Sequence, residues 1–419
     1  MHHTIFPLKY TIDTPENRQF LSEIRDTLFS FGRQFSSPGG GSYYLGDDGT
    51  PLKDRPRETW ITSRMAHVYS IASLLEPASD YGLLADAALQ GLCGELHDRS
   101  NGGWYAGLQA DGTPLPTKQC YAHAFVILAA CSGVLAKRPA AQSLLDDALA
   151  IYDKYFWNET EGLSCDTWNT EFTILDDYRG LNANMHTVEA FLAVADATGN
   201  ETYRWRAGRI IDHVLTWANH NDWRIPEHFH KDWTPDLECN KEHPDDPFKP
   251  YGATPGHGIE WARLITQWTL STYKDSTADG AVPYISAAKA LYQRAVTDAW
   301  NVDGAPGLVY TTDWNGTPVV HDRMHWTLAE AINTSSVLWN ITGEECYAKD
   351  YASFMQYLDE VVWDHDTGSW FHQLDQNNQL LGTVWPGKSD LYHAVQATLI
   401  PFYSPAVSIA PAVKSGKEI

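Results

Sequence analysis

Turn-rich stretches recur along this chain at a nearly constant spacing, and that period restricts the fold more than any other feature. They lie at 37–50 (SPGGGSYYLGDDGT), 98–113 (DRSNGGWYAGLQADGT), 157–172, 220–233, 300–317 and 363–379. Most share one grammar: an Asp/Asn/Gly turn, a short aromatic strand, then a second turn of the same kind, which reads as a β-hairpin. With Gly39, Gly102, Gly162, Asp222, Gly304 and Gly368 as markers, the steps are 63, 60, 60, 82 and 64 residues. The fourth stretch has no glycine, and the long step carries a polar, Pro-rich insertion at 234–250. Repeats of this kind bury their apolar faces only against their neighbours.

Between hairpins there is room for two helices, and apolar periodicity supplies them. The predicted pairs are 60–75 with 81–96, 119–135 with 142–155, 183–198 with 202–218, 258–273 with 284–300, and 326–342 with 345–362. Only 391–403 follows the last hairpin, but an unpaired helix at 15–31 waits at the N-terminus to close the ring. Twelve helices in six pairs make an all-α (α/α)6 barrel with short β-hairpins at one mouth, a single catalytic domain over 1–419. Segments just after each hairpin, such as FVILAACSGVLA, are apolar nearly all round, as helices covered on both sides must be. Segments just before a hairpin alternate charged and apolar residues. The first kind is therefore inner, and its six members run parallel with their N-termini at one mouth.

A formal charge of −23 argues against nucleic acid and anionic membrane surfaces, which need a basic footprint. Seventeen Trp and 21 Tyr are a large aromatic complement; flat rings suit the apolar faces of sugars, although core packing also uses them. The six cysteines show no C-x-x-C spacing, and no stretch approaches 18 uninterrupted apolar residues. No basic region followed by an apolar run opens the chain. The expectation is a cytoplasmic protein with reduced thiols and no membrane partner; the sequence leaves its oligomeric state open.

The starts of the inner helices collect chemistry. In 251–264 (YGATPGHGIEWARL) His257 and Glu260 stand three residues apart, on one face of a first helical turn. His186 and Glu189 repeat the spacing 71 residues upstream. The first inner helix offers Trp60 and Arg64, and the second Tyr121 and His123. The third adds Asn182 and Asn184, the fifth Trp326 and Glu330, and the sixth Lys388, Asp390 and His393. Capped core histidines would account for any one of these, but not readily for polar groups at equivalent places in every repeat. Three chemistries remain open. A metal could share His and Glu at i, i+3, yet no H-E-x-x-H or cysteine pair stands here. Glycoside hydrolysis needs two carboxylates, for which Glu260, Glu330 and Asp390 would serve, leaving three histidines unused. Proton transfer next to a carbonyl uses every group: imidazoles to move protons near neutrality and an arginine to stabilise the enediolate.

The stretches ETWITSRMAHVYS, NGGWYAG, DDYRGLNANMHTVEAF, PYGATPGHGIEWARL and GKSDLYH resemble the N-acylglucosamine 2-epimerase superfamily. The likeness runs over nearly the whole chain and is strongest to the aldose–ketose isomerase branch, that of mannose and sulfoquinovose isomerases. It implies an (α/α)6 barrel, a monosaccharide substrate, and no metal or other cofactor. Carried over, the branch's catalytic groups fall on His186, His257, His393 and Arg64. Its sugar contacts fall on Trp60, Tyr121, Asn182, Glu260, Trp326 and Glu330, with Lys388 and Asp390 at the same mouth. One histidine would open the pyranose, His393 would move a proton between C2 and C1 of a cis-enediol, and His257 would handle oxygen protons. In the superfamily's epimerases that facing histidine reprotonates C2 from the other side. Ser389 and His372 stand where a sulfoquinovose isomerase has glutamines, which favours a neutral sugar: D-mannose with D-fructose, or D-lyxose with D-xylulose. A sugar 2-epimerase is the alternative on the same site, and an (α/α)6 glycoside hydrolase a more distant one.

Overall fold

The computed structural model describes residues 6–419. In chain order the α-helices among them are α1 (Pro15–Phe31), α2 (Thr59–Leu75), α3 (Tyr81–Cys93), α4 (Cys120–Leu135), α5 (Ala141–Tyr155), α6 (Leu181–Thr198), α7 (Glu201–His220), α8 (Pro255–Tyr273), α9 (Val282–Ala299), α10 (His325–Thr342), α11 (Glu345–Tyr357), α12 (Tyr392–Ala397) and α13 (Ile409–Ser415). Even-numbered helices up to α12 form an inner ring, and odd-numbered helices up to α11 the outer one.

Burial follows from composition. Every residue of α4 except Tyr121 and Val134 is buried, because helices flank it on both sides. Outer α5 buries only Ala141, Leu144, Leu145, Ala148 and Tyr152, a stripe at i, i+3, i+4 spacing. The ring closes where expected. Tyr351 of α11 donates to Asn17 of α1 at 2.9 Å, and Arg25 of α1 donates to the Thr398 carbonyl beyond α12 at 3.3 Å.

The turn-rich stretches do more than form local hairpins. Arg57–Glu58 pairs with Gly107–Leu108, Thr117–Gln119 with Thr167–Asn169, and Arg179–Gly180 with His228–Phe229. Ala253 bridges Thr312, and Arg323–Met324 pairs with Gln373–Leu374. The Lys388 N–H closes the circle on the Leu45 carbonyl at 3.0 Å. Each strand leading into an inner helix is thus clipped to the next repeat. The same clip caps the helices: the N–H groups of Thr59, Cys120, Leu181 and His325 donate to the carbonyls of Ala106, Asp166, Glu227 and His372 at 2.8–3.1 Å. No side chain caps these helices, since backbone from the neighbouring repeat takes one of the orphan donors.

Several helix ends differ from the periodicity by a few residues, and two of the differences have a visible cause. The segment predicted as one helix over 391–403 stops at Ala397 and continues as a 3₁₀ turn at Ile400–Phe402, because Pro401 can neither donate nor fit inside a helix. The predicted helix 81–96 ends at Cys93, next to Gly94. The unpredicted α13 packs on α2, α4 and α6 and plugs the end of the barrel away from the hairpins. No helix among the described residues is long and apolar enough to cross a membrane.

Candidate active site at the barrel mouth

Because the inner helices run parallel, side chains from their first turns converge on one cavity. Three histidines meet there, each giving its Nδ1 to a carboxylate. His186 lies 3.3 Å from Glu189 Oε2, His257 3.0 Å from Glu227 Oε2, and His393 3.1 Å from Glu330 Oε1. An imidazole held at Nδ1 has its tautomer and ring plane set, and its Nε2 is left for a ligand. His257 and His393 both pack against the Trp326 indole, with ring centres 4.9 and 5.9 Å away.

Arg64 lies beside the rings of Phe125 and Tyr392, which pack on His186 and His393. Its guanidinium donates to Asp390 Oδ2 at 2.5 Å and to the Tyr121 hydroxyl at 2.8 Å. It also lies over the rings of Phe125, Tyr392 and Trp60 at 4.4–4.9 Å. Burial alone would raise the Asp390 carboxyl, but Arg64, with His393, His372 and the Tyr392 N–H, together more than offset it and the group sits below its ordinary value. Burial lifts the Tyr121 phenol to about 12 although Arg64 opposes the shift. His393 is pushed well below the usual imidazole range by burial and then by the Arg64 charge. Burial likewise lowers His186, with Glu189 working against it.

Deeper in the cavity Arg263 donates to Glu330 Oε2 at 2.7 Å and lies 3.6 Å from Glu260. Both Glu260 oxygens are buried without a hydrogen-bond partner, as is Asn182 Oδ1. Burial, and then the neighbouring Glu330, push the Glu260 carboxyl well above its ordinary value. Unpaired groups like these cost about 1–3 kcal/mol each unless a ligand satisfies them. His186, Glu189 and Glu260 bring one ligand atom each within 4.8 Å of the others, close enough to share a cation. A divalent ion there would compete with Arg263, whose guanidinium already serves the Glu260 and Glu330 carboxylates.

Of the expected site residues, Trp60, Arg64, Tyr121, His186, His257, Glu260, Trp326, Glu330, Asp390 and His393 come together, and half-buried Asn182 joins them from the start of α6. Lys388 does not. Its ammonium donates to Asp364, to Thr367 Oγ1 at 2.8 Å and to the Gly368 carbonyl at 3.1 Å, so no proton remains for a sugar. Lys118 does the same in the second repeat, bonding Asp98 and the Gly102 carbonyl; these lysines lock hairpins. His123 and Asn184 also turn away. The first accepts from the Trp104 N–H and the second from the Ser164 N–H.

Several groups have no counterpart in the sequence-based list. Glu227, 30 residues before its histidine, comes from the strand pairing and left no motif. Arg263 lies one turn beyond Glu260 and is visible once the helix face is followed inward. Tyr392, whose hydroxyl donates to Glu189, neighbours His393 in the sequence. Trp385 stands edge-on to Trp60 at 5.5 Å and narrows the mouth.

An (α/α)6 barrel whose mouth gathers three carboxylate-backed histidines and a buried arginine is the scaffold of the sugar epimerases and isomerases. The chain belongs to the N-acylglucosamine 2-epimerase (GlcNAc 2-epimerase) family, whose model matches residues 40–397. It is 40% identical over 400 residues to a D-mannose isomerase of Thermobifida fusca, covering 95% of this chain and 97% of that one. A D-mannose isomerase of Pseudomonas cannabina pv. alisalensis is 38% identical over 402 residues, 96% of each chain. A crystal structure of D-mannose isomerase, 27% identical, superposes with a TM-score of 0.84 over 93% of this chain and 99% of that one.

Proposed function

We propose that the protein interconverts D-mannose and D-fructose through a cis-enediol, with His393 as the base at carbon. The observation that carries this reading is that His393, oriented by Glu330 and kept below the usual imidazole range by burial and the Arg64 charge, shares the mouth with the Arg64–Asp390 pair. His186, backed by Glu189, takes the O1 proton and returns one to O5 as the pyranose opens. His393 Nε2 then removes the proton from C2, and Arg64 stabilises the negative charge that develops on oxygen. The same imidazole delivers that proton to C1, while His257 carries a proton from O2 to O1. Aldose and ketose differ only in these positions, so atoms balance without a co-reactant. Trp60, Tyr121, Trp326, Asn182 and Glu260 hold the ring and its hydroxyls.

A neutral sugar fits the charges. Arg64 and Arg263 are both paired with carboxylates, and Lys388 is committed to its hairpin. Ser389 exchanges hydrogen bonds with the Leu45 backbone and His372 accepts from the Asp390 N–H, so neither is free for a sulfonate or phosphate. Ring closure between the first and last repeats supports one catalytic domain over 1–419. The six free thiols suit a reducing, cytoplasmic compartment. A second reading, 2-epimerisation, is favoured by His257 and His393 both packing on Trp326, which offers C2 an imidazole on either face. Incubation with mannose, glucose, lyxose and N-acetylglucosamine in D2O, followed by NMR, separates the two. Formation of fructose supports isomerisation, with deuterium at C1 to the extent that the proton held by His393 exchanges with solvent; a C2 epimer with no ketose would replace it with the second reading.

A further inference from the structure

The three histidine–carboxylate pairs are not equivalent. Glu227 serves His257 with one oxygen, and its other oxygen has no partner. Glu189 serves His186 and is otherwise bound by neutral donors, the Tyr392 hydroxyl and the Gln396 amide. Glu330 alone is shared with a hydrogen-bonded cation: Arg263 Nε meets Oε2 at 2.7 Å while His393 holds Oε1. Both Arg263 and Glu330 are buried, at 4% and 0% exposure, so water screens the contact little.

A carboxylate already bonded to an arginine stabilises positive charge on its imidazole less than one that is not. We propose that Arg263 is a positioning residue that acts through Glu330: it fixes the carboxylate plane that aims His393 Nε2 and holds His393 as the unprotonated base. His257, whose carboxylate has no such cation, is left to move protons between oxygens. The asymmetry would commit His393 to carbon and His257 to oxygen, and it rests on the reading of His393 as the base.

Around His393 the charged and titratable groups are Arg64 from α2, His186 and Glu189 from α6, His257, Glu260 and Arg263 from α8, and His325 and Glu330 from α10. Asp390, Tyr392 and His372 complete the set from its own segment and the sixth hairpin. Arg64 keeps its own partners in every variant below, so a change in the His393 titration reports Arg263.

The test is the pH profile of kcat/KM for mannose in wild type, Arg263→Met, Arg263→Gln and Arg263→Lys. Loss of a cation at this distance should move the acid limb up by about one pH unit or more in the Met and Gln variants. Activity then falls up to about tenfold at acid pH, below the shifted limb, and is little changed at neutral pH. Gln retains a donor for Glu330 and carries the test if Met does not fold. Lys restores charge without the planar fork, so its limb returns to the wild-type position while kcat recovers only in part. An acid limb that stays put in Met and Gln, with lowered melting temperature alone, overturns the proposal and leaves Arg263 a structural residue. Retention of C2 exchange by His393→Ala would instead overturn the base assignment, whatever the Arg263 variants do.

Discussion

Replacing His393 by Ala should abolish turnover while sparing the fold, and the size of each effect follows from its contacts. His393 is 3% exposed and makes one hydrogen bond, to Glu330. Losing a bond to a charged group costs about 1.5–3 kcal/mol, within the 5–15 kcal/mol that a folded chain typically has. Glu330 keeps Arg263 at 2.7 Å, so no isolated charge is left behind. The rate should fall by about 10²–10⁴, because that is what a positioned general base supplies. His257→Ala is the contrast. It strips Glu227 of its only side-chain partner at Oε2, with Oε1 already unpartnered. A buried charge abandoned in this way costs about 3–5 kcal/mol, so His257→Ala should melt lower than His393→Ala although His257 is the more exposed residue. The assay is exchange of the mannose C2 proton in D2O, with thermal melts alongside. His257→Ala should still exchange slowly because His393 remains; His393→Ala should not. Near wild-type exchange in His393→Ala would refute the assignment, and a lower melt for His393→Ala than for His257→Ala would refute the account of Glu330.

Stability should fall as pH drops from about 6.5 toward 4. Burial depresses His67 to about 4 and His123 to about 3 in the fold, so the unfolded chain takes up protons first. Melts between pH 7 and 4 check this, and a flat profile would count against it. Gly387→Ala should destabilise the ring closure strongly: φ is +75° and a Cβ would lie 2.1 Å from the Leu45 carbonyl. Its melting temperature should drop by several degrees, whereas Gly304→Ala, with open space at its Cβ, should show only the smaller cost of its positive φ. Glu227→Gln should lower kcat while leaving the KM for mannose within a few-fold, since the change acts through His257. EDTA treatment should leave activity intact; loss of activity restored by a divalent ion would point to His186, Glu189 and Glu260 as its holders.

Much of the architecture was legible because it rests on short-range rules. The period near 60 residues, the all-round apolarity of 119–135 and the one-sided stripe of 142–155 specify helix pairs and which member lies inside. Parallel inner helices then oblige His186, His257, His393, Arg64, Trp60 and Trp326 to share a mouth. What the chain alone could not declare are pairings across repeats. Glu227 reaches His257 through a strand pairing that has no local signature, and Lys388 looks like a sugar contact until Asp364 and Gly368 arrive from the preceding hairpin. Pro401 was readable as a helix breaker, but the plug that follows it gains its energy only against α2, α4 and α6. Hydrophobic periodicity is a property of single segments and survives in the sequence. Hydrogen-bond partners and charge neutralisation are properties of pairs, and only the closed ring decides which pairs meet.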